Sequence, residues 1–410
     1  MSIETIIPAE STSPAEPVAA LSDEEIFAAH HGGKLSIAST VPLASKRDLS
    51  IAYTPGVAQV SRAIAADPKL AKTLTWAQRL VVVVSDGTAV LGLGDIGASA
   101  SLPVMEGKSA LFKAFGELDS IPLVLNTTDV DEIVETLVRL RPSFGAVNLE
   151  DVSAPRCFEL EDKLIEALDC PVMHDDQHGT AIVVLAALTG AAKVTGRELE
   201  KLRVVVSGAG AAGIAVAQML LTAGIGDVVL LDSRGVLNSE RADIAADPAS
   251  KKAQLARSGN PRGVSGGPGD ALLDADVFIG VSSSKLAEEH LKLMSQDSIV
   301  FALSNPDPEV LPEVARKYAA VVATGRSDFP NQINNVLAFP GLFRGLLDAG
   351  ASDISTDMLV AAAQAIADRV APDELSAAYI VPSVFDPLVA ADVAAAVQAV
   401  AAATHTEESK

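Results

Sequence analysis

Four short apolar runs between residues 80 and 176 each end on a carboxylate: LVVVVSD, IPLVLNTTD, FGAVNLED and CPVMHDD. Between them, as in Asp131 to Leu140 and Phe158 to Leu168, apolar residues recur at three- and four-residue spacing, the period of a helix with one buried face. Strand, helix, strand in repetition builds a parallel sheet, and uninterrupted Val/Ile/Leu runs suit strands covered on both faces. Ligands of such sheets lie outside the carboxyl ends of the strands. Those ends would present Asp86, Asp129, Glu150, Asp151, Asp175 and Asp176. One acidic strand end can simply cap the next helix, and Asp129 is open to that reading. Several carboxylates at one edge repel one another unless a cation neutralises them. The pattern therefore predicts a divalent metal.

The densest part of that edge is PVMHDDQHGT, residues 171–180, with His174, Asp175, Asp176 and His178 inside five positions. A nearly uncharged run follows from Gly179 to Ala192. That run reads as a long buried helix over 179–194, and the charged knot before it as either a metal-binding cluster or a solvated loop leading into the helix. On residue type alone the histidines are as eligible for a metal as the aspartates.

A second α/β unit begins at LRVVVSGAGAAGIAVAQML, where Gly208, Gly210 and Gly213 form G-x-G-x-x-G between a strand and a helix. The next strand, VVLLD, ends at Asp232, 24 residues past the first glycine. That spacing is expected of a dinucleotide-binding unit, with the pyrophosphate on the helix N-terminus and the acid on the adenosine ribose. Asp232 favours NAD over NADP because a carboxylate repels a 2′-phosphate, although Arg234 stands two residues on. Residues 250–270 read as a Gly/Ser/Pro-rich surface excursion. Strands resume at 276–283, 298–305 and 319–325, and the chain is helical in period from Leu346 onward.

The fold class expected is α/β: an N-terminal parallel-sheet substrate and metal domain over 22–180, a Rossmann-type domain over 181–345, and C-terminal helices over 346–410. Residues 1–21 read as a disordered tail, and Ser22 as the N-cap of a short helix. A net charge of −22, from 53 acidic and 31 basic side chains, argues against nucleic acid or an anionic membrane as partner. The lack of a secretory pattern and of an uninterrupted apolar span, with two isolated cysteines, points to the cytoplasm.

Set in order, these pieces resemble the malic enzymes in their short bacterial form. AYTPGVA (52–58), SDGTAVLGLGDIG (85–97), LPVMEGKSALFKAFG (102–116), VNLEDVSAPRCFE (147–159), HDDQHGTA (174–181), SGAGAAG (207–213), ALSNP (302–306) and NNVLAFPG (334–341) carry the resemblance. It implies oxidation and decarboxylation of malate to pyruvate by way of oxaloacetate, NAD or NADP as cofactor, and magnesium or manganese. It also implies Glu150, Asp151 and Asp176 as metal ligands, Lys108 as general base supported by Asp175, and Tyr53 as general acid. Asn305 and Asn335 match positions near substrate and nicotinamide, and the family is oligomeric, with a homodimer expected. An oxygen-rich site suits a hard cation better than imidazole does, which moves His174 and His178 out of the ligand set. Where larger members carry a substrate-binding arginine, this chain has Ala89, leaving Arg62, Lys113 or a partner subunit to anchor the carboxylate. Lys108 can act as base only if burial or the adjacent cation lowers its pKa. Two other readings are a malolactic enzyme, which returns the hydride to make lactate, and a non-catalytic nicotinamide-binding sensor. The latter has no use for the acid, base and metal set.

Overall fold

The computed structural model describes residues 21–408, with side chains through Ala403. The expected tail lies, apart from Leu21, outside them. Each apolar run forms a strand: β1 (Leu80–Ser85), β2 (Asp119–Val124), β3 (Ala146–Leu149) and β4 (Val172–His174). They make a sheet in the order β2-β1-β3-β4, parallel throughout. The helical periods form the crossovers, Ala98–Gly116, Val130–Leu140 and Arg156–Ala167. β1 and β3 are buried along their whole length, as their unbroken apolar sequence requires.

The second sheet contains β5 (Arg203–Ser207), β6 (Asp227–Asp232), β7 (Gly235–Val236), β8 (Val277–Gly280), β9 (Ser298–Ala302) and β10 (Ala319–Thr324). Its order is β10-β9-β8-β5-β6-β7, parallel except for β7. In the first sheet the chain turns to opposite sides after β1, and in the second after β5. The crevices beside β1/β3 and β5/β8 are therefore the switch points where ligands bind. The glycine motif fits the second crevice. Gly208 has φ +121, and a Cβ on Gly213 would stand 1.6 Å from the Gly208 carbonyl oxygen. A Cβ on Gly210 would meet nothing within 4 Å, the open approach that a pyrophosphate needs.

Two expectations are corrected here. The charged knot at 174–178 is not a loop: the helix runs Asp175–Thr195 and begins directly on β4, with His174 at its N-cap. Two carboxylates in its first turn face the positive end of the helix dipole, which local apolar periodicity cannot reveal. The 250–270 excursion contains helices Lys251–Ser258 and Pro268–Leu272. The first is capped by the Ser250 hydroxyl, which accepts from Ala253 N.

The Asp175–Thr195 helix is long and apolar enough to cross a membrane, yet most of it is buried inside the protein. It packs on helices Ala211–Thr222 and Thr356–Asp368. One apolar core runs from Val81 and Val83 through this helix to Val204 and Val206, joining both sheets. Each Leu, Ile or Val fully buried there contributes ~1.5–3 kcal/mol. Helices Phe339–Ala349 and Val389–Glu408 pack together and against Ala98–Gly116. Phe112 meets Phe339 and Phe343 edge-on, with centroids 4.7 and 5.4 Å apart.

Candidate active site and metal centre

The carboxyl ends of β3 and β4, the helix after β1 and the segment after β10 bring six of the predicted residues together: Glu150, Asp151, Asp175, Asp176, Lys108 and Asn335. Lys108, on the Ala98–Gly116 helix, puts Nζ 2.5 Å from Asp175 Oδ2 and 3.0 Å from Glu150 Oε2. Its ammonium also stands 4.1 Å from the centroid of the Phe339 ring. Asn335 Nδ2 donates to Asp175 Oδ2 at 2.8 Å and to Thr180 Oγ1 at 3.2 Å. Gly179 makes room for this, since a Cβ there would lie 2.0 Å from Asp175 Oδ1. Asp175 thus links the metal-side strand ends to the loop after β10.

Glu150, Asp151 and Asp176 each offer an oxygen within 4.8 Å of the other two. Asp151 holds a left-handed backbone (φ +55), and its N–H donates to Asp176 Oδ2 at 2.9 Å. Buried Asp151 Oδ2 has no protein partner among the described residues. Three converging carboxylates, one with an orphaned buried oxygen, fit a hard divalent cation. Their titration agrees. Burial lifts Glu150 to about 8, the charges of Asp175, Asp176 and Asp151 acting against the Lys108 ammonium. Burial and the Asp176 charge lift Asp151 to about 7. Asp176 goes the other way: burial opposes its charge, but the hydrogen bond and charge of His174 hold it below the ordinary range.

A pH-dependent response to metal follows. Carboxyls raised in the fold bind protons that the unfolded chain has released, so their stabilisation is complete below the ordinary carboxylate range. It is lost as pH rises through about 7 and about 8. Metal-free protein is expected to lose stability at this site between about pH 5 and about pH 8. The gain in Tm on adding Mn2+ should grow over that interval, by ~1 °C for each kcal/mol in a chain of 410 residues. Calorimetry at both ends of the range checks this, and an equal gain at both would contradict it.

Lys108 departs from the expected direction. Burial would lower its pKa, but Asp175 and Glu150 hold it above the ordinary lysine value. With no cation among the carboxylates it is an ammonium. Both histidines face carboxylates: His174 Nε2 lies 3.0 Å from Asp176 Oδ2, and His178 Nε2 lies 3.1 Å from Glu161 Oε1. Glu161 escaped the sequence reading. Buried, it accepts from His174 N at 2.7 Å and Gln177 Nε2 at 2.9 Å. Its signal was a charge on the buried stripe Cys157, Leu160, Glu161, Leu164. Asp129 caps its helix, accepting from Glu132 N, and Asp86 pairs with Arg156. Neither joins the metal cluster.

Other predicted residues stand apart. Lys113 pairs with Asp119 at 2.9 Å, at the amino end of β2, so it cannot reach an anion at the carboxyl ends. Arg62 lies on helix Val57–Ala66, which buries no residue. Tyr53 is 67% exposed and makes no hydrogen bond with the cluster among the described residues. Asn305 sits in the loop after β9, against the loop after β1: a Cβ on Gly92 would lie 2.6 Å from its carbonyl oxygen. Asp232 ends β6 beside the nucleotide crevice, and Arg241 grips it through two nitrogens at 2.8 and 2.7 Å.

A family model described as malic enzyme, N-terminal domain, matches residues 32–165, and one described as malic enzyme, NAD binding domain, matches 177–403. The NAD-dependent malic enzyme of Geobacillus stearothermophilus is 50% identical over 88% of this chain and 75% of its own. A bifunctional malic/malolactic enzyme of Bacillus subtilis is 50% identical over 89% of each. The crystal structure of an NAD-dependent malic enzyme from Thermotoga maritima superposes with a TM-score of 0.86 at 44% identity, covering 92% of this chain and 99% of that one.

Proposed function

The chain belongs to the malic enzyme family, and from that premise we propose how its residues divide the work of converting malate to pyruvate and carbon dioxide with NAD or NADP. The observation that carries the reading is the buried Lys108–Asp175–Glu150 contact at the rim of three converging carboxylates. Glu150, Asp151 and Asp176 would hold Mg2+ or Mn2+. When bound, the ion supplies Lewis-acid polarisation of the substrate's C2 oxygen and offsets the charge that keeps Lys108 protonated. Nicotinamide, when bound at the β5/β8 crevice, supplies the acceptor for the C2 hydride.

Lys108 takes the C2 hydroxyl proton, with Asp175 fixing the Nζ position and Asn335 fixing Asp175. Tyr53 returns a proton to C3 after carbon dioxide leaves. That role goes with a homodimer, because Tyr53 and its chain neighbours Leu49 and Ile51 are exposed, as are Phe27 and Ile37 earlier in the chain, and the helices of this stretch bury none of their residues. So many exposed large apolar side chains in one stretch of chain suit an interface between chains, and a second chain is also where the missing substrate-carboxylate cation would come from.

Pyruvate and NAD(P)H should form in equal amounts from malate, measured in one reaction by chromatography and by absorbance at the nicotinamide band. Lactate without net NAD(P)H would replace this reading with the malolactic one, which the name of the Bacillus subtilis relative makes the specific alternative.

A further inference from the structure

The carboxylate at the end of β6 has no acceptor to spare for a ribose. A carboxylate presents about four lone-pair sites, and four donors meet Asp232. Its Oδ1 accepts from Arg234 N at 2.9 Å and Arg241 Nη1 at 2.8 Å. Its Oδ2 accepts from Arg241 Nη2 at 2.7 Å and Lys252 Nζ at 3.4 Å. Arg241 is itself fixed. Its Nε and Nη2 bind Asp243 at 2.8 and 3.0 Å, and its Nη1 also reaches the carbonyls of Gly235 and Val236. Asp232 is therefore stapled inside the sheet edge, and the repulsion a free carboxylate would offer a phosphate is offset by a guanidinium locked against it.

The donors left over are cationic. Arg234 is 70% exposed and uses one side-chain nitrogen, on Asp243 at 3.1 Å. Lys252 has three ammonium hydrogens and, among the described residues, one ion-pair partner, Asp232. Against Arg234 opens a pocket of about 600 Å³ whose wall also includes Arg241, Glu240, Ser265, Gly266 and Gly267, and Lys252 stands outside that wall, on the Asp232 carboxylate it shares with Arg241. A ribose 2′-hydroxyl asks this corner for an acceptor that is already used. A 2′-phosphate asks it for charged donors, and Arg234 and Lys252 keep N–H groups beyond those they give to Asp243 and Asp232.

We propose that this corner selects NADP: Arg234 and Lys252 bind the 2′-phosphate, and Arg241 is the specificity-determining residue that keeps Asp232 from acting as a ribose ligand. The inference rests on the chain being a nicotinamide-dependent malic enzyme, and it reverses the preference that Asp232 alone suggests.

Calorimetric titration of the metal-free protein with 2′-phospho-ADP-ribose and with ADP-ribose tests it without turnover. The phosphorylated compound should bind at least about tenfold more tightly, as charge-assisted contacts to one phosphate allow. Arg234→Ala and Lys252→Met, both at exposed or half-exposed positions, should each remove most of that advantage and leave ADP-ribose within about twofold of its original affinity. Equal or tighter binding of ADP-ribose by the wild type overturns the proposal while leaving the nicotinamide reading intact, as do variants that weaken both compounds alike. Binding of neither compound overturns the nicotinamide reading and this proposal with it.

Discussion

Lys108→Ala should lower kcat for malate oxidation by about a thousandfold or more, the scale of a lost general base, while the protein still binds Mn2+. Lys108 is the only cation that the described structure places against Glu150 and Asp175 together. Removing it takes away the sole proton acceptor proposed for the C2 hydroxyl, and it leaves Asp175 hydrogen-bonded to Asn335. Two negative groups then lose a positive neighbour, so the cluster's attraction for a divalent cation should hold or rise. The pairing of outcomes is what distinguishes a base from a structural ion: activity collapses, metal affinity does not. Full turnover in the variant would remove the lysine from the reaction. Equal loss of Mn2+ binding would reassign it to building the cation site.

Asp176→Asn is the converse experiment. Asparagine keeps a carbonyl oxygen able to accept from Asp151 N, as Asp176 does at 2.9 Å. What goes is one negative charge and one carboxylate of the three that converge. Because changing an outer-shell partner of a metal already costs 10–100-fold in affinity, losing a direct ligand should cost more than about 100-fold. Turnover should fall with it and recover in part at high Mn2+. Mn2+ titration followed by electron paramagnetic resonance reads the affinity directly, and an unchanged dissociation constant would place the ion elsewhere.

The parallel sheets were legible because their strands are continuous apolar runs separated by helical periods, a pattern that depends only on local burial. The acidic edge was legible for a related reason: topology brings the ends of β3 and β4, each followed by acids, to one place, although the strand ends alone also offered Asp86 and Asp129, and only the motifs singled out Glu150, Asp151 and Asp176. What the sequence does not display are pairings between distant positions. Glu161 reaches His174 across 13 residues, and Asn335 reaches Asp175 across 160. Arg241 neutralises an aspartate whose spacing from the glycine motif looks like an NAD signature. Lys113 looked available to a substrate until its partner Asp119 put it at the opposite edge of the sheet. Tyr53 is a third kind of case. Its motif is readable, but within one chain it is 67% exposed, and a single sequence carries no record of what faces it.

The central claim is that Lys108 and the three carboxylates form one metal-dependent malate-oxidising site. Its most direct test is the initial rate of malate-dependent reduction of NAD and of NADP in saturating Mn2+, after chelation, and after Mn2+ is restored. The site predicts reduction in the first, none in the second, and full recovery in the third, with pyruvate rising in step. A rate that survives chelation would contradict it.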